Sequence, residues 1–573
     1  MPVVNAEIAA ALDRLADLLA IEGANQFRVR AYRRAARLVE ALPRPVTEML
    51  AAGEDLDALP GIGPDLAGKI ATLARGGRPP LLAALERELP PGAVALLAIP
   101  GLGPKRVHRL HEALGIDSPA KLEAAAVAGK LRAVPGFGPG IEQAVLQGLA
   151  AGAGRPPRLR RAVAEQIAAP LLAWVRGAPG VRDLEIAGSF RRRQETVGDL
   201  DLVASAAAPG PVMQRFLGYE DVVRVIAQGP TRASVVLRSG LQVDLRVVSE
   251  ASYGAALCYF TGSRAHNIAL RRRALARDYK LNEYGLFAGR QRRAGHSEAA
   301  VYAALGLPLI PPELREARGE IEAAEEGRLP RLITLADLRG DLHVHTDASD
   351  GRAGLAAMAA AAQALGLDYM AVTDHSRSLG MAHGLDPGRL ARQIDAIARL
   401  NAGLRGFTVL AGTEVDILED GRLDLPDSIL SRLDLVVAAV HSHFDLPAAV
   451  QTDRLIRSMD NKRVNIIAHP TGRLIGRRPG FAVEMERLLR AARERGCCLE
   501  VNAQPERLDL TDLHCRLAKT MGVTLAISTD AHGPDEFGLL RFGVDQARRG
   551  WIEARDVVNA RPLSALRAVL RRG

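Results

Sequence analysis

"DLHVHTDASDG" occupies Asp341–Gly351. Two histidines one residue apart, His343 and His345, are followed by a carboxylate, Asp350. The segments that follow repeat one texture. "YMAVTDHS", "FTVLAGTEVDI", "LDLVVAAVHSH", "VNIIAHP", "CLEVNAQ" and "VTLAISTDAH" are short apolar strands, and Ala-rich helical stretches separate them. Strand and helix in alternation predict an α/β domain, a barrel. Most of these runs close on polar residues at the C-terminal end, where barrels of this kind place their sites. Together they offer His343, His345, Asp350, His375, Glu414, His441, His469, Asp530 and His532. A lone histidine on an apolar face is usually a packed core residue. Six of them with acids at matching strand ends are not, because buried acids and imidazoles without a cation are costly. Histidine and carboxylate without cysteine suit Zn²⁺ or Mn²⁺.

The rest of the chain is built differently. Residues 1–340 carry 45 Lys and Arg against 36 Asp and Glu, whereas residues 341–573 carry 30 of each. The whole basic excess therefore lies ahead of the barrel, which suits a polyanionic partner as well as a solvated arginine-rich face. A length of 573 residues allows several cores. No apolar run is long enough to span a membrane. The four cysteines, Cys258, Cys497, Cys498 and Cys515, form no CxxC pair and argue against a disulfide framework, which fits a cytoplasmic setting.

Three stretches share a pattern: "LPGIGPDLAGKI" (Leu59–Ile70), "IPGLGPKRVHRL" (Ile99–Leu110) and "VPGFGPGIEQAV" (Val134–Val145). Each has an apolar residue, Pro-Gly-apolar-Gly-Pro, then a helical pattern. Glycine permits a tight turn with uncovered backbone N–H groups, and a helix start behind it suits a phosphate. Gly61, Gly63, Gly101, Gly103, Gly136 and Gly138, with Lys105, are the candidate DNA contacts. The pattern resembles the helix-hairpin-helix motif, which grips the DNA backbone without reading sequence.

After a Gly/Pro/Arg linker, "AGSFRRRQETVGDLDLV" (Ala187–Val203) places Asp199 and Asp201 on one face of a strand, and "LQVDLRVV" adds Asp244. Three carboxylates on one sheet surface repel unless cations lie between them, and Mg²⁺ or Mn²⁺ is the natural guest. Gly188, Ser189 and Arg192 offer a close backbone approach and a cation for a triphosphate. This set, with "YFTGSRAHNIALRRRALARDYKLNEYGLF" (Tyr259–Phe287), resembles the nucleotidyltransferase signature of family X DNA polymerases, the polymerase beta relatives. The resemblance covers about residues 1–310. It implies that Tyr259, Phe260 and Gly262 line the nucleotide pocket and that Asn267 reaches the base. Two departures stand out. Gln242 replaces an Arg that the family often has two residues before the third Asp. Lys69 matches a lyase lysine of some members, but Asp65 lies where they carry a nearby Lys.

The order HxH…SDG…TDH…E…VHSH…AHP…DAH resembles the polymerase-and-histidinol-phosphatase (PHP) domain, a barrel with a three-metal site. By resemblance, His343, His345, Glu414 and Asp530 share one metal, Asp350, His375 and His532 a second, and Glu414, His441 and His469 a third. Phosphoester hydrolysis is the implied chemistry. The expected architecture is multidomain: a helical helix-hairpin-helix N-terminal region, an α+β nucleotidyltransferase palm, and an α/β PHP barrel of distorted (β/α)7 type. The expected divisions are 1–85 (lyase-like), 86–154 (DNA-binding), 155–250 (palm), 251–315 (nucleotide-selecting), 316–339 (linker) and 340–573 (PHP). The resemblance implies a monomeric, nucleoid-associated cytoplasmic repair polymerase. It would act on gapped or nicked double-stranded DNA and dNTPs, with 3′→5′ exonuclease activity in the barrel and no membrane. Three alternatives stay open: a DNA-bound scaffold with a silent catalytic site, a barrel that hydrolyses small phosphate esters, and a barrel that only braces the polymerase.

Overall fold

The computed structural model describes residues 5–571 except 43–44, 60, 89–95, 97–98, 100–101, 139–140, 143–144, 147–148, 150–157 and 380–381. The chain divides into two units, residues 1–157 and 158–573.

Pro-Gly punctuation organises the first unit. In each of the three repeated turns, the apolar residue between the glycines donates its N–H to the carbonyl three residues back. These bonds are Ile62 to Leu59 (3.0 Å), Leu102 to Ile99 (3.0 Å) and Phe137 to Val134 (3.1 Å). Ile62, Leu102 and Phe137 are buried, so each turn is pinned from below. Gly61 and Gly136 adopt φ of +75° and +90°, which favours glycine there. The helices Pro64–Ala74 and Pro104–Leu114 start directly behind the turns, with proline at the first position, where a missing N–H costs nothing. Two apolar cores hold the unit, one around Ile8, Leu15, Tyr32 and Ile70, the other around Val107, Leu122 and Phe137.

In the second unit, β2 (Val181–Ile186), β4 (Asp199–Ala206), β5 (Val222–Gln228), β6 (Arg232–Leu237) and β7 (Gln242–Val248) form the palm sheet in the order β2-β4-β7-β6-β5. β1 (Leu159–Arg160) and β3 (Thr196–Val197) form a separate antiparallel pair. β4 and β7 run parallel, with Asp201 opposite Asp244. The sequence reads as helical again over 264–285. The structure instead has helices Glu250–Thr261 and Arg264–Leu275, followed by an antiparallel sheet of β8 (Lys280–Asn282), β9 (Gly285–Ala288) and β10 (Gln291–Ala294). The helix stops at Leu275, Asp278 turns left-handed (φ +58°), and the Asn282 side chain accepts from the N–H groups of Tyr284 and Gly285 to set the β8–β9 turn.

The barrel strands are β11 (Gly340–Val344), β12 (Tyr369–Val372), β13 (Thr408–Asp416), β14 (Leu435–Ala439), β15 (Ile466–Ile467), β16 (Cys498–Asn502) and β17 (Leu525–Ser528), all parallel and in sequence order. His345 N–H donates to Ala531 O at 2.8 Å, so the end of β11 meets the end of β17 and nearly closes the barrel. Strand alternation separates two cores. Val436, Ala438 and Val440 face the helix layer, and Leu435, Val437 and Ala439 belong to the inner cluster. Asn559 bonds the start of β11, and Leu570 O accepts from Asn465 just before β15. The C-terminal segment thus covers the N-terminal end of the barrel and leaves the other end for the ligands.

Palm and barrel meet through charge pairs. Arg161 pairs with Asp545 at 2.6 Å and Arg193 pairs with the same acid, while Arg549 donates to the backbone carbonyl of Arg192 at 2.7 Å.

Candidate active sites

Two sites emerge in the second unit. In the palm, Gly188 opens a short helix, Gly188–Arg191, with φ of +61°. Its missing side chain lets the chain approach Asp201: a Cβ there would lie 2.3 Å from Asp201 Oδ2. Burial, then the charges of Asp199 and Asp244, push the Asp201 carboxyl up to about 7. Burial, then Asp244, raises Asp199 as well. The Gln242 amide donates to Asp244 Oδ2 at 3.0 Å, and the Ser234 hydroxyl donates to the other oxygen. Neutral donors therefore hold this acid where the related pattern has an arginine. A cavity beside the acids is lined by Arg232, Arg246, Ile226 and Phe260.

Several predicted nucleotide contacts are engaged within the protein. Arg192 donates to Thr261 O (2.5 Å) and Glu316 (3.0 Å). Asn267 donates to Tyr259 O at 2.6 Å, tying the two helices of the nucleotide-selecting segment. Tyr259 and Phe260 meet edge to face at 5.1 Å, and Gly262 (φ +66°) ends their helix. Ser189 lies in the Gly188 turn. Because Gly188 needs its left-handed backbone and its empty side, Gly188→Ala is expected to displace Asp201. Turnover that depends on the three palm acids should fall ~10²-fold or more in single-turnover assays, with the barrel's fold retained.

The barrel site is denser. Among the described residues, the groups whose donor atoms all lie within 4.8 Å of one another are His345–Asp350–His375–His532, His343–His345–Asp530 and His375–Glu414–His441. The palm acids do not close to that spacing. Glu414 stands at the centre, 3.4 Å from His343, 3.3 Å from His441 and 3.0 Å from His469. His375 joins Glu414 at 2.7 Å as well as Asp350 at 3.5 Å, so it belongs to two of the groups that the resemblance keeps apart. His343 Nε2, both nitrogens of His345, and Glu414 Oε2 are buried without a hydrogen-bond partner. Such orphaned lone pairs fit divalent ions. Burial, then His532 and His375, lowers His345 to about 4, which keeps it neutral as a ligand must be. Burial opposes protonation of His375, but Glu414 and Asp350 outweigh it and hold the imidazole at about 10.

Two residues escaped the sequence reading. Glu500 of β16 accepts from His343 Nδ1 at 2.8 Å and from His469 N–H at 2.7 Å. Asp416 contacts His441 Nδ1 at 2.5 Å. Both orient ligands through the far ring nitrogen or the backbone. Each is an acid inside an apolar strand, and Asp416 shares the face of Glu414 two residues earlier, which is the signal that could have found it.

In the first unit, Gly61, Gly63, Gly103, Gly136 and Gly138 are exposed, and no atom lies within 4 Å of a Cβ built at Gly61, Gly63, Gly103 or Gly138. Gly101 and the side chain of Lys105 lie outside the described residues. Lys69 pairs with Asp65, and its Nζ lies 5.9 Å from the Tyr32 ring centroid. No described helix is long and apolar enough to cross a membrane.

A strand-borne acid set beside a glycine turn is thus joined to a parallel barrel whose open end gathers histidines and acids. Family models agree: "Helix-hairpin-helix domain" matches 3–79, "SAM-like Helix-hairpin-helix tandem" 93–151, "DNA polymerase beta thumb" 256–316 and "PHP domain" 341–504. The DNA polymerase/3′-5′ exonuclease PolX of Bacillus subtilis is 39% identical over 98% of both chains. The chain therefore belongs to the family X DNA polymerases that carry a PHP domain. A "Probable phosphatase" of Caldanaerobacter subterraneus is 33% identical over 34% of this chain and 75% of its own. Another, of Acetivibrio thermocellus, is 30% identical over 35% and 81%.

Proposed function

We propose that this polymerase fills short gaps in double-stranded DNA from dNTPs and trims 3′ ends in its barrel. The observation that carries the reading is the presence of two separate sites in one chain: Asp201 and Asp244 in register beside the Gly188 turn, and eight clustered histidines and acids at the open end of the barrel, with His469 3.0 Å from one of them, Glu414. Asp199, Asp201 and Asp244 would hold Mg²⁺ or Mn²⁺. His343, His345, Asp350, His375, Glu414, His441, His469, Asp530 and His532 would hold up to three Zn²⁺ or Mn²⁺. Divalent ions at such places acidify an attacking hydroxyl or water and neutralise phosphoryl charge.

The chain's own residues do the rest. Gln242 and Ser234 fix the Asp244 carboxylate. Gly188 and Ser189 offer backbone to the triphosphate, Arg192 exchanges Glu316 and Thr261 for phosphate oxygens, and Tyr259, Phe260 and Gly262 flank the sugar. In the barrel, Glu500 fixes the tautomer of His343 and aims Nε2 inward. The exposed turns at Gly61, Gly63, Gly103, Gly136 and Gly138 take backbone phosphates, and Gly101 and Lys105 join them. Lys69 is the candidate lyase nucleophile, and its pairing with Asp65 favours a contact role instead. The working divisions remain 1–85, 86–154, 155–250, 251–315, 316–339 and 340–573, in a monomer acting at the nucleoid.

A labelled one-nucleotide-gapped duplex in Mn²⁺ tests the proposal. Extension with dNTPs and shortening from the 3′ end without them are expected. The probable phosphatases that match the barrel motivate a second reading, hydrolysis of small phosphate esters. Turnover of histidinol phosphate with no shortening of the duplex would favour it.

A further inference from the structure

Arginines crowd the mouth of the barrel beyond the nine ligands. Arg473, Arg477 and Arg478 follow His469 in the loop after β15, and Arg507 lies in the loop after β16. Arg507 Nε is 3.7 Å from Asp530 Oδ2, so this guanidinium reaches the cluster itself. Arg478 is held in place by its bond to Gly472 O (2.7 Å), and it caps Phe444, three residues past His441, at 4.2 Å from the ring centroid. Burial, then the charge of Arg507, holds the Arg478 guanidinium below its ordinary range. The palm adds another cation. Arg160 of β1 approaches Glu506 Oε2 at 3.9 Å, the same oxygen that Arg477 approaches at 3.9 Å. The palm's Glu195 in turn grips Arg473 at 2.7 Å. Five arginines thus share this rim with Glu506 and Glu195, and they lead from the cluster to the palm.

We propose that Arg160 of the palm completes the barrel's substrate site: with Arg477, Arg478 and Arg507 it binds the backbone phosphates of a DNA strand whose 3′ end lies at the cluster. This inference rests on the reading of the cluster as a DNA 3′-end hydrolase. A small ester has one phosphate, which the cluster and Arg507 suffice to meet. A row of cations leading away from the cluster suits a polyanion, and arginine forks match its phosphate oxygens.

The test uses the full chain in Mn²⁺ with two substrates, a 5′-labelled single-stranded oligonucleotide and bis-p-nitrophenyl phosphate, over a range of salt. Arg160→Gln is expected to lower kcat/KM for trimming ~10-fold, mainly through KM. The ratio of DNA to small-ester activity should fall, and the salt dependence should become shallower by about 0.7 in log-log slope. Arg160→Lys should recover much of the loss, which also shows that the position tolerates change. Trimming by Arg160→Gln with wild-type KM and salt slope would overturn the proposal. So would equal losses on both substrates, which mark a structural role. If the wild type cleaves the small ester but trims no DNA, the reading of the cluster falls and the rim proposal falls with it.

Discussion

Asp201→Asn is expected to lower the extension rate ~10⁴-fold while 3′ trimming by the same preparation is unchanged. Asp201 is more buried than Asp199, and burial with two neighbouring carboxylates raises it to about 7. A carboxyl held that high in the free protein gains most from a divalent ion, because the ion relieves both the burial cost and the repulsion. The asparagine keeps the shape and removes the charge. It should fit against Gly188, where an added carbon would not. The loss should lie in the chemical step, so single-turnover extension should fall while dNTP affinity changes little. Extension within tenfold of wild type would mean that the acids on β4 and β7 are not the polymerising centre and would revive the silent-scaffold alternative. The trimming control is in the same tube and reports that the unit has folded.

The barrel was legible because most of its strands end in a chemically conspicuous residue, and strands such as Leu435–Ala439 are continuous apolar runs because both their faces are buried. The Tyr259–Phe260 helix was not, for a physical reason. Ser252, Gly254, Ala255, Ala256, Leu257 and Cys258 are all buried, so the helix has no polar stripe from which a period could be read. The stretch from Pro311 misleads in the opposite way. Its charges and bounding prolines read as a connector, yet Glu313, Arg315 and Glu320 are buried. Glu313 pairs with Arg548 and Arg315 with Glu298, while Glu320 bonds His266. Partners that distant in sequence leave no local signal. The same holds for Glu500, whose role depends on His343 lying across the barrel. Arg192 and Asn267, expected from the sequence as nucleotide contacts, have the partners Glu316, Thr261 and Tyr259, which left no sign in the sequence.

His343→Ala is expected to abolish 3′ trimming, a fall of ~10³-fold or more, with extension retained. His343 is fully buried, its Nδ1 is committed to Glu500, and its Nε2 points at Glu414 and Asp530 with no hydrogen-bond partner. Removing it deletes one donor from the group with His345 and Asp530 and strips Glu500 of a partner inside the barrel. Metal content by mass spectrometry should therefore drop along with activity, and thermal unfolding should begin earlier, because buried acids lose the charge that balances them. Extension by the palm in the same sample separates loss of the site from loss of the fold. His443, exposed and near Glu419 rather than the cluster, supplies the contrast: His443→Ala should trim like wild type. Trimming that survives His343→Ala would assign the nuclease elsewhere. Metal lost without any change in trimming would leave the cluster as a brace or as a site for another ester. Loss of trimming with metal content intact would place His343 at the substrate rather than at an ion.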